Sequence, residues 1–78
     1  MKLPMKQTTR INHEAAGDMV RKFRLSRKVS LRAVAIEIEM SAPYLSDLER
    51  GRRNWSPELF VFVGEAIKKL SQLNAKKP

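Results

Sequence analysis

The chain has 78 residues, which is room for one small domain and little more. It carries 16 Lys and Arg against 8 Asp and Glu, a net charge of +8, and no cysteine. Disulfides and thiolate metal sites are therefore excluded, and a polyanionic partner is expected, nucleic acid before an anionic membrane surface. The apolar share of 42% suffices for a packed core and is too high for a disordered chain.

Taken in chain order, residues 1–12 read as a flexible basic arm. Lys2, Lys6 and Arg10 occur with no acid, and Pro4 and Thr8-Thr9 argue against a helix. A first helix is expected over 13–27, capped by Asn12, with Glu14 and Asp18 at its positive end. Ala16, Met19, Val20 and Phe23 follow helical spacing and make its core stripe. A second helix is expected over 31–38, capped by Ser30, with Leu31, Val34, Ala35 and Ile38 on one face. A third starts after Ser41, holds Pro43 in its first turn, turns Leu45 and Leu48 inward and ends at Gly51. A fourth begins with Ser56 as cap and Pro57 as first residue and runs to about Leu73, with 74–78 as a tail. Its inward stripe is Leu59, Val63, Ala66, Ile67 and Leu70. The longest apolar run, Leu59 to Val63, is far too short to span a bilayer, and the N-terminus has no apolar signal segment. A cytoplasmic location is expected.

Two short helices joined by a tight turn, followed by Arg52-Arg53 in a basic chain, form the pattern of a DNA-reading module. The residues that carry the pattern are specific. The block Ser41-Ala42-Pro43-Tyr44-Leu45-Ser46-Asp47-Leu48-Glu49-Arg50-Gly51-Arg52-Arg53, with Ser30-Leu31-Arg32, Val34-Ala35 and Ser56-Pro57-Glu58-Leu59, resembles the Cro/repressor-type (XRE-like) helix-turn-helix family across residues 16–67. That resemblance implies an all-α, compact lambda-repressor-like domain of four or five helices. It also implies a third helix in the major groove of double-stranded DNA, used as a homodimer on a two-fold operator. This chain departs from the family at Glu39 and Lys28, where glycines are usual. Lys68-Lys69-Leu70-Ser71 offers no break for a fifth helix, so four are expected. The resemblance also sets Arg24 and Glu49 face to face as an ion pair tying the first helix to the third.

The third helix is expected to read bases through Ala42, Pro43, Ser46 and Asp47, with Tyr44 alongside. Ala42 and Pro43 offer apolar contact suited to a thymine methyl, and Asp47 can accept from cytosine N4. Arg50, Arg52, Arg53 and Asn54, joined by Arg32, are placed to grip phosphates. Trp55 reads as a lid on the core edge with its N–H on backbone. His13 lacks companions for a metal or catalytic role, and no cofactor is expected. Val61, Phe62 and Leu73 are apolar outside the core stripe of the fourth helix and suggest a dimer surface.

The leading reading is a small sequence-specific repressor. An antitoxin-like protein that also binds a protein partner through the fourth helix is the alternative. An enzyme fits badly, with no cysteine nucleophile, Gly-rich phosphate loop or paired histidines. A membrane-surface peptide would need a wide apolar face left open, whereas these four stripes satisfy one another.

Overall fold

The computed structural model describes residues 11–75 and is all-helical over that span. Four helices follow in order: α1 (His13–Ser26), α2 (Leu31–Glu37), α3 (Ala42–Glu49) and α4 (Pro57–Ala75). The expected arm lies outside the described residues except for Ile11 and Asn12. Of the expected tail, Asn74 and Ala75 belong to α4 and 76–78 lie outside the described residues. α1 and α2 each stop one residue sooner than the sequence suggests, because Arg27 and Ile38 act as C-caps.

Each helix starts where a short polar side chain can replace a missing backbone acceptor. Asn12 Oδ1 accepts from Ala15 N at 3.0 Å. The hydroxyls of Ser30, Ser41 and Ser56 accept from Ala33, Tyr44 and Leu59 N at 3.0, 3.1 and 3.0 Å.

The first three helices also stop alike. Beyond each C-cap, one residue adopts positive φ: Lys28 (59°), Glu39 (58°) and Gly51 (77°). In all three the backbone closes the same pair of hydrogen bonds. Lys28 N and Val29 N donate to Leu25 O and Arg24 O, Glu39 N and Met40 N to Ile36 O and Ala35 O, and Gly51 N and Arg52 N to Leu48 O and Asp47 O. This is the Schellman stop, which glycine enters without Cβ strain. Only Gly51 does so here. Lys28 at least places a positive charge at a negative helix end, whereas Glu39 places a carboxylate there. Glu39→Gly is therefore expected to raise stability by about 1 kcal/mol, and by more than Lys28→Gly does. Paired thermal melts read the difference, and a Glu39→Gly protein that melts below the parent would refute the assignment of strain.

The core is one cluster centred on Val34, Leu45, Leu48, Val63 and Ile67, all fully buried, with Ala16, Val20, Val29, Ala35, Ile38, Trp55 and Ala66 around them. α3 packs on α1 and α2, while α4 closes the other side of both. Leu31, Leu59, Leu70 and Phe23 are half-buried at the rim. Met19 departs from its expected core place and is 60% exposed. The buried face of α1 is set by Ala16, Gly17, Val20 and Arg24 instead. A glycine and an arginine do not register as apolar, so the sequence stripe is drawn too far toward Met19. Glu37 and Lys69, 2.7 Å apart at the surface, link α2 to α4.

Candidate nucleic-acid interface

α3 is aimed by what holds its last turn. Arg24 rises from α1 into the protein and meets Glu49 in a two-pronged contact. Nε donates to Oε2 at 2.8 Å and Nη2 to Oε1 at 3.0 Å. Its Nη1 donates to Val29 O at 3.0 Å, so the guanidinium also fixes the loop before α2. Both side chains are more than nine-tenths buried. Among the described residues, no buried side-chain nitrogen or oxygen lacks a partner. Charge burial is thus compensated by hydrogen bonds on each side.

Trp55 secures the same turn from the other flank. Its ring is buried, meets Phe60 edge-on at 5.8 Å, and donates Nε1–H to Leu48 O at 3.0 Å. His13 has a structural use that its sequence position does not disclose. Its Nδ1 accepts from Trp55 N at 2.8 Å and fixes the loop after α3 to the start of α1. Gly17 is a further residue that sequence reasoning passes over. Its α-carbon faces the backbone of Leu48 and Glu49 so closely that a methyl group would collide with it. A glycine inside a helical pattern is the one available signal, and it points to close packing without naming the neighbour.

With its inner side so fixed, α3 shows the outer side to solvent. Pro43 is exposed, while Ala42, Tyr44, Ser46 and Asp47 are half-buried, and Leu45 between them is fully inside. Arg50, Arg52, Arg53 and Asn54 are exposed at the far end of the helix, and Arg32 is exposed in the first turn of α2. Two of these arginines turn back onto α3. Arg52 Nη1 lies 3.9 Å from Asp47 Oδ1 and Arg53 Nε lies 3.7 Å from Asp47 Oδ2. The Arg53 guanidinium also covers the Tyr44 ring, 4.5 Å from its centroid. Of the residues expected to grip phosphates, Arg52 and Arg53 thus lie against residues expected at the base-reading side, Asp47 and Tyr44.

Val61, Phe62 and Leu73 stand apart on α4, each more than half exposed. Phe62 borders α2 at Glu37 and Ile38, and Leu73 follows three turns later on the same side. No helix among the described residues is long and apolar enough to cross a membrane. Among the same residues, no group of three or more His, Asp or Glu is placed to hold a metal ion.

Residues 15–62 match the family model described as a helix-turn-helix domain. The transcriptional regulator ClgR of Mycobacterium tuberculosis, in strains CDC 1551 and H37Rv, is 39% identical over 54 residues, which cover 69% of this chain and 48% of the relative. The chain spans about half the length of these curated relatives. The crystal structure of the clp gene regulator ClgR from C. glutamicum has a TM-score of 0.71 and 32% identity, covering 87% of this chain and 96% of that one. With the two-helix unit, its capped turn and its basic flank all present in one matching span, the chain belongs to the helix-turn-helix domain family.

Proposed function

We propose that this chain is a cytoplasmic, sequence-specific double-stranded DNA-binding transcriptional regulator, most simply a repressor, which acts by binding and not by catalysis. The observation that carries this reading is the exposed side of α3 with arginines gathered around it, backed by a rigid inner side. Ala42, Pro43, Ser46 and Asp47 form the base-facing surface, with Tyr44 beside them. Arg32, Arg50, Arg52 and Asn54 hold phosphates on either side and set the register of the helix in the major groove. The relatives, named as a transcriptional regulator and a clp gene regulator, support the same use.

A homodimer on a two-fold operator completes the proposal. Exposed Val61, Phe62 and Leu73 on α4 supply an apolar surface for a two-fold partner, and a two-fold operator requires two copies of α3 about 34 Å apart, one turn of DNA. Selection of bound duplexes from a random pool tests both parts at once. The expected product is a pair of inverted half-sites, whose affinity falls with salt at a log–log slope of roughly −0.9 per phosphate contact, with about four to six contacts per half-site. A pool that converges on no sequence, or binding indifferent to salt, would reject the proposal. A single unpaired half-site would reject the two-fold arrangement alone.

A further inference from the structure

Arg53 is held unlike the other arginines around α3. It leaves the turn after the helix and folds back, with its guanidinium 4.5 Å from the Tyr44 ring centroid and its Nε 3.7 Å from Asp47 Oδ2. Tyr44 and Asp47 are three residues apart on α3 and therefore neighbours on one face. The guanidinium lies over the ring, and Nε is its nitrogen nearest the carboxylate, with the side chain half exposed. The edge carrying Nη1 and Nη2 is then left for a partner. A planar fork of fixed orientation is the shape that guanine O6 and N7 select in the major groove.

We propose that Arg53 is a guanine-reading residue, and that Tyr44 and Asp47 are its positioning residues. The proposal rests on α3 being the DNA reader. On sequence alone Arg53 is one more phosphate contact, but three observations favour a base. α3 has no fork of its own, since Ala42 and Pro43 carry no side-chain donor and Ser46 only a hydroxyl. Arg53 lies against Tyr44 and Asp47, two α3 residues next to Pro43 and Ser46 in the chain. Arg52 is 3.9 Å from the same carboxylate with its side chain two-thirds exposed, against one-half for Arg53, and among the described residues it covers no ring, as suits a phosphate contact. Asp47 then spends its charge orienting Arg53 instead of accepting from cytosine.

Duplex selection with the parent, Arg53→Lys and Tyr44→Leu tests this. The parent should select guanine at one position of each half-site and discriminate there by about 10–100-fold. Arg53→Lys keeps the charge and loses the plane, so that one preference should drop to about threefold or less while the rest of the site and the salt slope persist. Tyr44→Leu, which keeps an apolar side chain on α3, should weaken the same position. Its circular dichroism melt shows whether it folds, and Arg53→Lys decides the matter if it does not. A consensus that survives Arg53→Lys intact overturns the proposal and leaves α3 as reader. So does an Arg53→Ala protein that weakens on all duplexes alike with a salt slope shallower by about 0.9. A parent that selects no sequence removes the reading of α3, and this assignment with it.

Discussion

Glu49→Ala is expected to destabilise the protein by about 3–5 kcal/mol, because it strands a buried guanidinium rather than merely deleting a contact. Arg24 would keep Val29 O as a partner but lose both acceptors for Nε and Nη2. A domain this small has a total stability of only about 3–5 kcal/mol, so most of the variant would be unfolded near body temperature. Glu49→Gln keeps one acceptor oxygen and should lie between variant and parent. The double substitution Arg24→Met with Glu49→Leu removes both charges and should recover much of the loss. Urea unfolding with an unchanged m-value measures all four proteins. Duplex affinity at a temperature where each is folded should change far less than stability, since the pair lies on the inner side of α3, away from the reading surface. Equal midpoints for Glu49→Ala and parent would sink the assignment.

Much of the fold was legible because helix starts are local events. Asn12, Ser30, Ser41 and Ser56 each precede an apolar stripe, and each accepts from the backbone N–H three residues on. Gly51 marks its stop for the same local reason. Lys28 and Glu39 occupy equivalent stops with the wrong chemistry, and there only the likeness to a family with glycines at those places pointed to the turn. Arg24 and Glu49, twenty-five positions apart, were paired through that likeness too, since no spacing rule joins residues on different helices.

What stayed hidden was tertiary. His13 looks idle because its partner, the Trp55 amide, is supplied by a loop more than forty residues away. Arg53 looks like any exposed cation because its stack on Tyr44 depends on how sharply the chain reverses after α3. Met19 looks buried because periodicity fixes the direction of a stripe only to within a residue or so, and Gly17 and Arg24, which define the true face, do not count as apolar.

Gly17→Ala is the second substitution with a large expected cost, about 1–3 kcal/mol or somewhat more. A Cβ at this position would lie 2.4 Å from Leu48 O, 2.5 Å from Glu49 O and 2.8 Å from Glu49 C. Every one of those atoms is backbone, so no side chain can rotate aside, and α1 must separate from the last turn of α3. That turn is held at the same time by Trp55 Nε1 on Leu48 O and by Arg24 on the Glu49 carboxylate. Displacing it would loosen both contacts together. Helix propensity acts the other way, since alanine is favoured over glycine by about 1 kcal/mol in a helix interior. Gly64 isolates that opposing effect, because a Cβ there meets nothing within 4 Å in the middle of α4. Gly64→Ala should therefore raise the melting temperature and Gly17→Ala should lower it, by about 4–8 °C per kcal/mol in a domain of this size. The same chemical change would then have opposite signs at two helical glycines. A Gly17→Ala protein melting at or above the parent would mean that α1 and α3 can part cheaply, and that α3 is not held rigidly from behind.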